Sequence, residues 1–304
     1  MAHLAEPTTQ HASHYPIPNN TQDQHPSTAT EAILEAIQKE PTVQELYSLK
    51  GRTALVTGGA RGLGCTLAGA LLEAGAHVYC LDILSEPSQE EWNAISERAK
   101  SNNLTLEYRK GDITDGEGIH ELVQAIAREA PAPLRVLLHC AAIQQELPAL
   151  DYPHADIRRI MEVNITGAYI IAQACARVMM QHGQRSSIVL VASMSGQIAN
   201  RGLHCSAYNT SKGAVHQLSR SLSAEWAGSG IRVNTLSPGY IKTAMTAQLL
   251  AGKPDLTKQW TGDNPMGRIG LPWEFKGPAL FLASDASTFA TGTDIRIDGG
   301  HCAW

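Results

Sequence analysis

From Arg52 onward the chain alternates short apolar runs with longer stretches whose apolar residues recur at helical spacing. The runs are Thr53–Thr57, His77–Leu81, Leu104–Arg109, Leu134–His139, Ser187–Ala192, Ile231–Leu236 and Thr293–Ile297. Glycine, proline, acidic or small residues follow most of them, as they follow buried strands. Between the runs the spacing predicts helices over Cys65–Glu73, Gly118–Ala130, Asp156–His182, Ser206–Gly228 and Trp273–Ala283. Strands and helices in this alternation predict an α/β fold: a doubly wound, seven-stranded parallel sheet with helices on both faces. Ligands then belong at the carboxyl ends of the strands.

Residues 1–44 break the pattern. They are rich in His, Thr, Gln, Pro and Asn, and are expected to form a flexible arm before a single domain over 45–304. A short amphipathic helix is expected around Glu31–Ile37. His3, His11, His14 and His25 lack metal-ligand spacing, and no metal site is expected. The arm lacks the cationic start and apolar stretch of a secretory signal. No apolar run approaches the ~20 residues of a membrane span. A net charge of -5 gives no electrostatic reason to expect nucleic acid or an anionic membrane as partner. The six cysteines contain no C-x-x-C pair and read as buried thiols of a reducing, cytoplasmic protein.

The first strand ends in Thr57-Gly-Gly-Ala-Arg-Gly62-Leu-Gly64, just before the first helix. Gly58 permits the tight turn, while Gly62 and Gly64 let phosphates and the neighbouring strand approach the backbone. The helix then offers free N–H groups to a diphosphate. Asp82 closes the second strand, where a carboxylate accepts from ribose hydroxyls and repels a 2′-phosphate. Arg61 pulls the other way, because it can pair with that phosphate. NAD(H) is favoured and NADP(H) stays open.

Tyr208 and Lys212 lie one turn apart on a predicted helix. Tyr208 is the candidate acid/base for a carbonyl–alcohol pair, although a free phenol has a pKa of ~10. The Lys212 ammonium is expected to favour the phenolate.

These residues resemble the short-chain dehydrogenase/reductase family, in its one-domain branch with a Rossmann-type sheet. The resemblance covers Lys50 to Trp304. It rests on the glycine turn, on Gly111-Asp112-Ile113-Thr114, on Val163-Asn164-Ile-Thr-Gly167, on Tyr208-x-x-x-Lys212, on Pro238-Gly239-Tyr-Ile241-Lys-Thr243 and on Ile297-Asp-Gly-Gly300. It implies Asn164, Ser193, Tyr208 and Lys212 as catalytic residues. Asn164 would interrupt its helix and hold a water linking Lys212 to solvent. Cofactor contacts are implied for Gly58, Arg61, Gly62, Leu63, Gly64, Asp82, Asp112, Ile113, Ala141, Tyr208, Lys212, Gly239, Ile241 and Thr243.

Two departures matter. Where the family commonly has Asn-Asn-Ala-Gly, this chain has His139-Cys140-Ala141-Ala142, so the asparagine bonds bracing the sheet are absent and Cys140 inherits no binding role. The family serine usually precedes the tyrosine by thirteen residues, which would be Ser195, yet Ser193 follows the strand directly and has Gly196 behind it. Ser193 is preferred, with Ser195 facing substrate as the alternative.

The segments Ala192–Gly196, Asn264–Arg268 and Asp298–Trp304 resemble fungal polyol dehydrogenases and ketose reductases acting on arabinitol, mannitol, sorbose or xylulose types of substrate. A lid over Tyr240–Gly270 would set specificity. Alternatives are a ketoreductase of secondary metabolism or of acyl-carrier substrates, with Arg201 and Arg158-Arg159 as the only basic candidates, and a non-catalytic dinucleotide sensor. The resemblance further implies a homo-oligomer, tetramer or dimer, pairing the helices around 156–182 and 206–228. The apolar end Cys302-Ala-Trp304 fits a buried terminus.

Overall fold

All seven apolar runs fold as strands: β1 (Thr53–Thr57), β2 (His77–Asp82), β3 (Leu106–Lys110), β4 (Leu134–His139), β5 (Ser186–Val191), β6 (Ile231–Pro238) and β7 (Asp294–Ile297). The coordinates are a computed structural model that describes residues 40–243, 246, 250 and 253–304. The strands form one parallel sheet in the order β3-β2-β1-β4-β5-β6-β7. The order reverses beside β1, so the chain leaves β1 and β4 in opposite senses and opens a crevice at their carboxyl ends.

The helices are α1 (Val43–Tyr47), α2 (Gly62–Glu73), α3 (Gln89–Ser101), α4 (Gly116–Glu129), α5 (His154–Met161), α6 (Gly167–His182), α7 (Ser206–Trp226), α8 (Pro254–Gly262) and α9 (Lys276–Ala283). Both faces of the sheet are covered, which is why β1 is buried at every position. Its side chains alternate between two cores. Leu55 packs with residues of α4, α6 and α7, such as Val123, Ile171 and Val215. Ala54 and Val56 join Leu67 and Leu71 of α2, Ile95 of α3 and Leu282 of α9. Each such leucine or valine contributes about 1.5–3 kcal/mol by burial.

Three expectations change. α3 was not predicted, because only Ile95 and Ala99 of it are buried and the rest is largely polar. The helix predicted over Asp156–His182 is α5 and α6 joined by a π turn at Glu162–Thr166, with Asn164 inside that turn. The carboxyl end is not buried within the chain: Ala303 and Trp304 are exposed.

Pro41–Trp304 forms one compact unit. Its first helix, α1, starts inside the last residues assigned to the arm, with Thr42 and Glu45 capping each other. The expected Glu31–Ile37 helix and the four histidines lie outside the described residues. Among the described residues no helix is long and apolar enough to cross a membrane.

Candidate active site

The turn after β1 tolerates only glycine at its key positions. Gly58 has a φ of 67°, and a Cβ there would lie 2.8 Å from the Ala141 nitrogen. At Gly64 a Cβ would overlap the Gly58 carbonyl oxygen. Gly62 has a φ of 60° with nothing within 4 Å of where its Cβ would be, so α2 begins beside open space. These features fit a diphosphate lying on the α2 amides, with Leu63 as the next residue of that turn. Asp82 is oriented toward the same turn: its two oxygens accept from Ala60 N–H at 3.2 Å and Leu84 N–H at 3.3 Å. Arg61 is exposed.

Farther along the carboxyl edge, Asp112 accepts from the amide and hydroxyl of Thr114 at 2.9 and 2.8 Å. Ile113 is buried against Gly167. Gly239 donates to the Ile297 carbonyl at 2.9 Å, and a Cβ there would sit 2.7 Å from the Asp298 Cα. Ile241 bridges to Gly270. The Thr243 amide donates to Thr246 Oγ1 at 2.8 Å.

The asparagine pattern missing after β4 has a substitute in His139. His139 Nδ1 and Thr57 Oγ1 share a buried hydrogen bond of 2.7 Å, and the Ala141 N–H donates to the same hydroxyl at 3.3 Å. This ties the ends of β1 and β4 together. Burial, and secondly the Lys212 ammonium, hold the His139 pKa down to about 3, so the ring is neutral. Its one sequence signal was a histidine at the end of an otherwise apolar run.

α7 brings Tyr208 and Lys212 to this edge. It approaches the Ser193 loop so closely that a Cβ on Gly196 would lie 2.6 Å from the Lys212 backbone carbon. Lys212 is buried, and its Nζ donates to the Val191 carbonyl at 2.8 Å, 5.7 Å from the Tyr208 ring centre. Burial lowers its pKa to about 8, with Cys140 nearby acting in the opposite sense. Cys140 itself is pushed up to about 12 by burial, against the pull of Lys212.

Tyr208 is partly exposed as a residue, but its phenol sits deep enough for burial to raise its pKa to about 12. The Ser193 side chain, facing the phenol, offsets part of that rise. The expected bias toward phenolate is thus absent in the protein alone. The lysine is anchored on the Val191 carbonyl, and desolvation of the phenol sets the direction of its shift.

Ser193 opens the short turn Met194–Gly196, where its Oγ accepts from the Ser195 N–H at 3.1 Å. Asn164 is 1% exposed. It accepts from Ile143 N–H at 2.9 Å and donates to the Ile143 carbonyl at 2.9 Å and to Ser211 Oγ at 3.0 Å. Ser211 donates in turn to the Tyr208 carbonyl at 2.7 Å. Asn164 therefore joins the loop after β4 to the helix turn that carries Tyr208, a link the sequence did not reveal.

In the loop before Tyr208, Asn200 is buried and donates to the Tyr240 hydroxyl at 3.0 Å, while His204 is exposed. Tyr240 stacks on Trp260 of α8 with ring centres 3.6 Å apart. Lys253, just before α8, pairs with Glu146 at 2.7 Å. The Asn200 bond ties the described part of the Tyr240–Gly270 segment to the Ser193–Tyr208 loop, and the Lys253 pair ties it to the loop after β4.

Gly58 packs against Cys140 and Ala141 beyond β4, and Lys212 is bonded at the end of the neighbouring β5, so the glycine turn and the tyrosine–lysine pair stand together at the carboxyl ends of adjacent strands. A doubly wound fold with that juxtaposition is a nicotinamide-dependent oxidoreductase. The family profile described as Enoyl-(Acyl carrier protein) reductase matches residues 58–301. The chain is 43% identical to the short chain dehydrogenases/reductase notP′ of Aspergillus versicolor, over 86% of this chain and 91% of that one. It is 36% identical to the ribulose-forming D-arabinitol 2-dehydrogenase of Candida tropicalis, over 85% and 95%. The crystal structure of a gluconate 5-dehydrogenase from Burkholderia cenocepacia, in complex with NADP and tartrate, superposes with a TM-score of 0.78 at 29% identity, covering 86% of this chain and all of that one. The chain belongs to the short-chain dehydrogenase/reductase family, and acts on CH–OH groups with a nicotinamide dinucleotide.

Proposed function

We propose that the chain interconverts a polyol and its ketose, with Tyr208 as acid/base and NAD(H) as the favoured cofactor; NADP(H) is the alternative. The observation that carries the reading is the meeting of Tyr208, Ser193 and Lys212 beside the glycine turn. The bound nicotinamide supplies or accepts the hydride. In reduction, Tyr208 gives its proton to the carbonyl oxygen, and in oxidation it takes the hydroxyl proton. Ser193 holds that oxygen beside the phenol. Lys212 supplies positive charge when the phenol has lost its proton. Asn164 fixes the turn carrying Tyr208 and, by family analogy, a water that leads protons from Lys212 to solvent.

The polyol class draws on the D-arabinitol 2-dehydrogenase relative and on the amide and hydroxyl groups of Asn200 and Tyr240 near the lid. Of the basic candidates behind the acyl-carrier alternative, Arg201 is paired with Asp263 at 2.9 Å, while Arg158 and Arg159 of α5 are exposed. For the cofactor, Asp82 bonded to the glycine turn speaks for NAD(H), while exposed Arg61 and the NADP-bound structural relative speak for NADP(H). The reading includes a cytoplasmic homo-oligomer, in keeping with six free cysteines.

The test is the absorbance of reduced nicotinamide with ketoses and with non-sugar ketones. Consumption with ketoses is expected. Tyr208→Phe should lower turnover by about 10²–10⁴ while NADH binding stays. Unchanged turnover in that variant would remove Tyr208 from the chemistry, and activity confined to bulkier ketones would overturn the polyol class.

A further inference from the structure

The loop after β2 is sewn back onto the glycine turn. Ala60 N–H donates to Asp82, and the Ala60 carbonyl accepts from Ser88 N–H at 2.9 Å. That second bond starts α3 beside the turn and delivers Glu91, from the first turn of α3, onto the start of α2. Glu91 Oε2 accepts from the Gly62 N–H at 2.7 Å. Two carboxylates thus hold the backbone of residues 60–62, one from the beginning of the loop and one from beyond its end. Glu91 is exposed, and the space next to Gly62 is open. Among the described residues Arg61 forms no ion pair.

We propose that Glu91 is a specificity-determining residue of the cofactor site, acting with Asp82 against the 2′-phosphate of NADP(H). The proposal rests on the reading that a nicotinamide dinucleotide lies on this turn. A phosphate monoester carries about -1.5 to -2 charges at pH 7. Arg61 offsets a single carboxylate beside that phosphate; against two it is outnumbered. The ribose hydroxyls of NADH, in contrast, donate hydrogen bonds to carboxylates.

The test is titration of the full-length protein with NADH and NADPH, following nucleotide fluorescence to obtain each Kd. Glu91→Gln keeps an acceptor for Gly62 and removes the charge. It should tighten NADPH about fivefold or more and leave NADH within about twofold. The gain should shrink as salt is added, which a purely structural effect would not do. Glu91→Ala should shift the ratio in the same direction. Glu90→Gln, a neighbour with the same charge change and no bond to Gly62, should leave the ratio where it is. An unaltered NADPH/NADH ratio in both Glu91 variants, or an equal shift in Glu90→Gln, overturns the proposal while the dinucleotide reading stands. A wild-type protein that binds neither cofactor overturns that reading, and this proposal with it.

Discussion

At the level of single residues, burial rather than charge sets the state of the tyrosine–lysine pair. Tyr208 rises to about 12 and Lys212 falls to about 8, both by desolvation first. At neutral pH the phenol keeps its proton, as an acid for ketone reduction must, and the lysine is still mostly charged. The reductive kcat/KM, which reports groups of the free enzyme, should therefore fall as pH rises through about 8 and Lys212 discharges. Lys212→Met should be slow and lack that limb. A wild-type profile flat between roughly pH 7 and 9 would sink the assignment. The stability sign differs. A lysine depressed from 10.5 to about 8 is protonated first in the unfolded chain, so its burial penalty is relieved as pH rises across that window. Tyr208, raised from 10.0 to about 12, contributes stability that is lost as pH rises over that range.

Among elements, the sheet was legible because its central strands are short apolar runs between turn residues, and β1 is buried on both faces, whereas the edge strands β3 and β7 are mixed with charged residues. α3 was not, since two buried side chains leave almost no periodic signal. The interruption at Asn164 was expected from the resemblance and is the π turn; the apolar spacing alone did not mark it, because it continues from α5 into α6 and one wider turn rotates the face without breaking the pattern. The family motifs led to Tyr208, Lys212 and Asn164, but not to their supports. The Ser211, Val191 and Glu91 contacts join segments far apart in sequence, and no local pattern announces them. The His139–Thr57 bond between β4 and β1 is the same kind of contact, and it admits a stability test. His139→Ala opens a cavity and removes a partner from a buried hydroxyl, with an expected cost of about 2–4 kcal/mol. His139→Asn, which restores the residue the family commonly has there, should recover part of it. Denaturant midpoints measure both; an alanine variant as stable as wild type would show that the bond does not brace the sheet.

For the whole molecule, the doubly wound order puts both halves of the site at one sheet edge, which the order of motifs along the chain already implied. Assembly is different, because it depends on the outer faces of helices whose inner faces alone are marked by the apolar pattern. α6 packs Ile171, Cys175 and Met179 inward yet leaves Tyr169 43% exposed. Trp304 is 82% exposed, and the terminus expected to be buried is not covered by its own chain. Large aromatics of this kind are enriched in subunit interfaces. If α6 pairs between subunits as the family resemblance implies, light scattering should give four times the 32.7 kDa chain mass. Tyr169→Arg, which buries an unpaired charge in that contact, should then shift the mass toward dimers or monomers, since such charges cost about 3–5 kcal/mol. Because the acid/base residues all lie on one chain, the dissociated variant should keep cofactor binding. A wild-type mass of one chain, or a Tyr169→Arg variant with an unchanged mass, would take α6 out of the interface and leave Tyr169 an ordinary exposed tyrosine.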